Sequence, residues 1–177
     1  MTVKNVVFAL LFMLSGSVFA ATVDDGYRLG SGDILSINVY GEEGLTFKEI
    51  PVNDAGVLSF PMIGNVQAKG HTTAEVSDEM VRKLKNGYLN DPQVSVSVVT
   101  YRPFFINGEV KKPGGYPYQP GLRISGAISL GEGLTDRGSD SRITVIRAND
   151  ATHTPQKAKL DDQVSPGDTI NVQQGFF

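Results

Sequence analysis

The sequence predicts an α+β protein built from two small domains. Three observations carry this. Short stretches that alternate apolar and polar residues recur along most of the chain. One strongly capped amphipathic helix interrupts them at 72–86. Arg102-Pro103 breaks the pattern, because a proline lacks the donor that a central strand needs.

The chain begins with an address. Lys4 supplies a positive start, 6–14 is an unbroken apolar run (VVFALLFML), and 15–20 ends in small residues (SGSVFA). Val18 and Ala20 suit a signal peptidase, so cleavage is expected between Ala20 and Ala21. The apolar run is too short to cross ~30 Å of hydrocarbon, which takes ~20 apolar residues as a helix. The expected division is therefore 1–20 signal peptide, 21–102 first domain and 103–177 second domain.

In the first domain, Gly30-Ser31-Gly32-Asp33 is turn chemistry. ILSINVY at 34–40 then places Leu35, Ile37 and Val39 on one face, as in a half-buried strand. Segments 49–52 and 57–60 flank Asn53-Asp54-Ala55-Gly56 and read as a hairpin, with a further short strand within 62–66. Thr72 and Glu75 form a T-x-x-E capping box. Val76, Met80 and Leu84 recur on one helix face, and Arg82, Lys83 and Lys85 oppose the dipole in the last turns. Gly87 is placed to end the helix. VSVSVVTY at 94–101 is another strand.

The second domain opens with a strand at 104–110. A Pro- and Gly-rich loop follows at 111–121, then a short helix at 122–130 that ends at Gly131. A strand at 143–147, a polar excursion at 148–159 and a last strand at 169–172 complete it. Gly-Asp before a strand occurs twice, at Gly32-Asp33 and Gly167-Asp168, and both aspartates are expected to bond nearby backbone amides.

Composition and motifs exclude much chemistry. The 177 residues hold no Cys, 2 His and a net charge of −3. There is thus no disulfide, thiolate metal site, cysteine nucleophile or lipid-bearing Cys. A mildly acidic chain offers nucleic acid no landing surface. No nucleophile elbow, zinc-protease motif or phosphate loop is present. Gly30-Ser31-Gly32 precedes a strand, whereas a dinucleotide fingerprint follows one. The acidic pairs Asp24-Asp25, Glu42-Glu43 and Asp161-Asp162 are adjacent residues in loops and define no catalytic pair. No catalytic residue, metal ligand or cofactor site is expected.

The aromatic residues are more suggestive. Phe104, Phe105, Tyr116 and Tyr118 flank or lie in the Pro-Gly loop. Such rings pack in a core, or they present flat faces to a sugar or another chain, and both readings stand. The candidate subunit or cargo contacts are Phe105, Tyr116, Tyr118, Phe176 and Phe177.

These motifs, in this order, resemble the bacterial polysaccharide export outer-membrane proteins in their short form. Tyr27 to Ile34 (YRLGSGDI), 52–61 (VNDAGVLSFP), 63–66 (IGNV) and 88–96 (YLNDPQVSV) resemble the polysaccharide-export domain. Asp54-Ala55-Gly56 is one residue longer than the family's usual Asp-Gly. Asn107 to Gly114 (NGEVKKPG), Gly131 to Thr135 (GEGLT) and Val164 to Ile170 (VSPGDTI) resemble a soluble-ligand-binding β-grasp domain. The resemblance implies a sheet-plus-helix export domain followed by a β-grasp domain. It also implies a non-enzymatic, periplasmic, ring-forming component of a capsule or exopolysaccharide channel, peripheral to the outer membrane. Its partners would be copies of itself, a separate outer-membrane β-barrel, an inner-membrane polysaccharide copolymerase and the polysaccharide cargo. Long members carry a C-terminal amphipathic helix, and many carry a lipidated N-terminal Cys. Neither is read here, so independent membrane spanning is not expected. The competing expectation is a monomeric periplasmic glycan-binding or adaptor module.

Overall fold

The structure, a computed structural model, describes residues 26–175. The segment read as a signal peptide, with the expected Ala20–Ala21 cleavage site, and Phe176 and Phe177 lie outside the described residues.

The first domain holds β1 (Ile34–Val39), a 3-10 turn (Glu43–Leu45), β2 (Phe47–Pro51), β3 (Val57–Phe60), β4 (Gly64–Gln67), α1 (Thr73–Lys85) and β5 (Val94–Thr100). An antiparallel sheet runs in the order β2-β1-β5, and β3-β4 forms a separate ribbon. The alternation of β1 does what it predicts: Leu35, Ile37 and Val39 are buried, and they share one core with Val76, Met80 and Leu84 of α1. The capping box is complete. Glu75 N–H donates to Thr72 Oγ1 at 3.2 Å, and Thr72 N–H donates to Glu75 Oε2 at 2.8 Å. Gly87 has φ of 95°, as an αL helix terminator requires.

One expectation fails. Asn53 to Gly56 does turn the chain, but it does not join a hairpin. β2 pairs with β1, whereas β3 pairs with β4 across Pro61 to Ile63. The end of β2 is already claimed: Val52 N–H donates to Asp33 O and Gly32 N–H to Val52 O, both at 2.9 Å. Segment 57–60 therefore finds its antiparallel partner downstream.

The second domain holds β6 (Phe104–Gly108), β7 (Gly114–Tyr116), α2 (Ile124–Leu130), β8 (Gly138–Ile146), β9 (Gln156–Ala158) and β10 (Thr169–Gln174). Its sheet order is β7-β6-β10-β8-β9, with β6 and β10 parallel and the other pairs antiparallel. A five-stranded mixed sheet with one helix on it is the β-grasp arrangement. Ile124, Ala127 and Ile128 of α2 join Phe104, Ile106, Ile143 and Ile170 in a second core. No side chain caps α2. Instead Ile124 and Ser125 donate their N–H groups to Asp162 O and Leu160 O, so the 160–162 segment fixes where the helix starts. β7 and β9 lie within the stretches read as a loop and a polar excursion, and β8 begins five residues earlier than the alternation implied. Gly108 is obligatory for β6 to lie beside β10: its φ is 85°, and a Cβ there would strike the Val172 carbonyl oxygen.

Candidate functional site: the cleft between the domains

The two Gly-Asp turns converge on the domain junction. Asp33 is fully buried. Its carboxylate accepts from the Gly30 and Arg102 N–H groups, each at 2.8 Å, from Tyr27 Oη at 2.5 Å and from Arg102 Nη1 at 3.2 Å. Asp168, 1 % exposed, repeats the device. It accepts from Ser165 N–H at 2.8 Å, Ala148 N–H at 3.1 Å and Arg147 Nη1 at 2.7 Å. In each case the aspartate ties its own turn to the end of the neighbouring antiparallel strand, β5 or β8. A buried carboxylate is stable only when its charge and lone pairs are so matched.

Arg102 is also the hinge pin of the junction. Its guanidinium lies 5.7 Å from the Tyr27 ring centroid and donates to Tyr27 Oη at 2.8 Å. It runs between Gly30 of the first domain and Gly167 of the second. A Cβ on Gly30 would collide with its Nη1, and one on Gly167 would come within 2.7 Å of its Nε. Gly167 N–H donates to Pro103 O at 3.0 Å, and an edge-to-face ladder of Tyr27, Tyr101 and Tyr118 spans the same seam, with centroids 5.0 and 5.3 Å apart. Burial first, then the Asp33 bond and charge, push the Tyr27 hydroxyl pKa far above its ordinary value.

Above this seam opens a cleft of about 700 Å³, within the size range of small-molecule sites. Arg28, Arg102, Arg147, Tyr27 and Tyr118 line it. Asp33 is buried beneath them and Asp168, 1 % exposed, lies in the cleft floor, so three arginines and two tyrosine rings face a single hydrogen-bonded acid.

The sequence-predicted contacts fall in different places. Phe105 stands 45 % exposed on the face opposite the buried Phe104, and its ring lies 3.0 Å from where Gly115 of β7 would carry a Cβ. Tyr116 is half-buried, tilted against Phe104, with its hydroxyl on Lys112 O at 2.6 Å. Tyr118 belongs to the seam. From sequence, Arg102 marks only the Arg102-Pro103 boundary, and Arg28 and Arg147 carry no signal of a site. The Gly-Asp turns were visible, but Arg102 meets Asp33 only after the chain has traversed the whole first domain. Among the described residues no group of three or more His, Cys, Asp or Glu is placed to hold a metal ion. Among them, no helix is long and apolar enough to cross a membrane.

A sheet-plus-helix domain joined through a polar seam to a β-grasp domain defines the class of this chain. The family comparisons agree with it domain by domain. Residues 21–99 match the polysaccharide biosynthesis/export protein family, and residues 103–155 match the SLBB domain. The chain belongs to the polysaccharide export protein family. It is 38% identical over 146 residues to the exopolysaccharide production protein ExoF of Rhizobium meliloti (strain 1021), covering 76% of this chain and 35% of that protein. It is 29% identical over 181 residues to the EPS I polysaccharide export outer membrane protein EpsA of Ralstonia nicotianae, covering 84% of this chain and 47% of that protein. The chain thus spans between a third and a half of the length of these relatives. The family is one of transport, not of catalysis.

Proposed function

We propose that this protein is a periplasmic, ring-forming component of an exopolysaccharide export channel, peripheral to the outer membrane. Copies pack head to tail around a closed ring, a heterologous contact repeated by rotation. The ring gives the polymer a protected path towards a separate outer-membrane β-barrel, and its inner side meets a polysaccharide copolymerase. The observation that carries this reading is the pairing of an export domain with an SLBB domain in one chain, both matched to family models. The seam supports it: Arg102, held by Asp33, packs against Gly167 of the second domain, which suits a wall element made of two joined domains. The Pro-Gly loop supplies β7, an edge strand of the β-grasp sheet, and exposed Phe105 lies against it, so these residues are assigned to the subunit contact.

The test is a deletion strain assayed for extracellular polysaccharide, complemented by a tagged copy cross-linked in the periplasm. Lost polymer, with self-adducts and an outer-membrane barrel among the cross-links, is the expected result. Normal export with no self-adducts overturns the proposal.

A further inference from the structure

We propose that the cleft between the domains seats a carboxylate-bearing sugar unit, such as a uronate, of the exported polymer. The inference rests on the reading of the cargo as polysaccharide and adds the site and the chemical class. Arg102 and Arg147 each make their described side-chain hydrogen bonds through Nη1, down to the turn beneath. Nε and Nη2 of both carry no hydrogen bond among the described residues, and those two N–H groups form the parallel fork that a carboxylate accepts. Arg28 stands at the rim, its side chain 61% exposed, with Nη1 on Gly70 O at 2.7 Å and near Glu75 Oε2 at 3.4 Å.

Charge selects the class of ligand. Asp33 does not line the cleft. Asp168 lies in its floor, but it is 1 % exposed and both of its oxygens are taken, by Arg147 Nη1 and the Ser165 and Ala148 N–H groups, so the guanidinium groups outnumber it at the cleft surface. Three guanidinium groups therefore look into the cleft over two buried acids and one exposed acid at the rim. The Tyr27 and Tyr118 rings offer apolar surface to sugar C–H faces, and the side chains of Asn149 and Gln163 offer amide groups to hydroxyls. Steady guanidinium forks beside aromatic walls suit a ring that carries both hydroxyls and a carboxylate. A neutral hexose would leave the forks unpaired, and an inorganic anion would leave the aromatic walls uncovered.

The test uses the full exported chain, titrated with trigalacturonate and separately with maltotriose, with arginine Nε–H signals followed by NMR. Trigalacturonate is expected to bind, to shift Arg102 and Arg147 and to weaken as salt is raised, while maltotriose leaves them unmoved. Arg147→Lys keeps a cation over Asp168 but removes the fork, and Arg28→Gln alters only an exposed rim residue, so neither rests on a fragile fold. Each is expected to weaken trigalacturonate binding about tenfold, the scale of a charge-assisted hydrogen bond. Equal binding of maltotriose, no binding of either, or wild-type affinity in both variants overturns the assignment. Export and self-adducts are scored in the same strains. Intact export and self-adducts without trigalacturonate binding overturn the cleft assignment alone, whereas normal export from the deletion strain overturns the reading beneath it.

Discussion

Asp33 and Asp168, in different domains, close their turns by the same set of bonds. Each accepts the N–H three residues earlier, the N–H of a residue just beyond the neighbouring strand, and Nη1 of an arginine at that strand's end. The equivalence makes each aspartate the keystone of its own sheet. Asp33→Ala strands two backbone donors and a half-buried guanidinium, and breaking such a pair costs about 3 kcal/mol or more. Asp168→Ala is expected to cost a similar amount. Urea denaturation followed by probes in each domain should show the first substitution lowering the midpoint of the β1 domain and the second that of the β10 domain. The double variant Asp33→Ala/Arg102→Ala should cost less than the two single losses added together, because the residues share one interaction.

Tyr27 makes the same seam sensitive to alkali. Burial, and then Asp33, hold its hydroxyl protonated in the folded chain far beyond the ordinary tyrosine value of about 10. Above that pH the unfolded chain releases the proton while the folded chain keeps it, so the unfolded state binds fewer protons and stability falls as pH rises. The contribution is fully present below pH ~10 and is lost above it. Tyr27→Phe should flatten the decline in unfolding midpoint between pH 9 and 11 relative to the parent. Equal slopes in the two proteins would refute this.

Beside the seam, where Arg28 meets Glu75, the capping box titrates in the opposite sense. The hydrogen bond from Thr72 N–H, more than any charge, holds the Glu75 carboxyl below its ordinary value of 4.5. Its contribution is therefore present above that value and is lost as pH falls through the depressed one. Thr72→Ala removes the reciprocal bond and should cost about 1 kcal/mol near neutrality. Amide exchange at the start of α1 should quicken in the variant, while exchange in β8 and β10 stays unchanged.

The sequence made the local devices legible and left the long-range ones hidden. The box at Thr72 and Glu75, the terminator at Gly87 and the face formed by Leu35, Ile37 and Val39 all depend on neighbours within a few residues, and the structure contains each. β7 and β9, of three residues each, are strands because β6 and β8 offer them a ladder, and nothing in Gly114 to Tyr116 alternates. The false hairpin at Asn53 to Gly56 has the same origin: the turn is local, but the choice of partner for β2 is made by β1. The cleft was least legible of all. Its arginines acquire meaning only beside Asp33 and Asp168, and their own segments give no sign of that meeting.

Phe105 offers the sharpest separation of assembly from stability. It shares β6 with Phe104, but alternation sends it out of the sheet's buried face, and 45 % of it meets solvent beside the three-residue edge strand β7. A large exposed ring next to a free strand edge is the composition of a contact surface. Phe105→Ser should therefore change the thermal midpoint of the isolated chain by no more than about 0.5 kcal/mol equivalent, as surface substitutions do. The same variant should lose periplasmic self-adducts and secreted polymer together. Phe104→Ser, 0% exposed in the parent, should instead unfold the second domain outright. If Phe105→Ser keeps its self-adducts and its export, the subunit contact lies elsewhere on the β-grasp domain or on the uncharged edge of β5, where Ser97→Lys would be the corresponding probe.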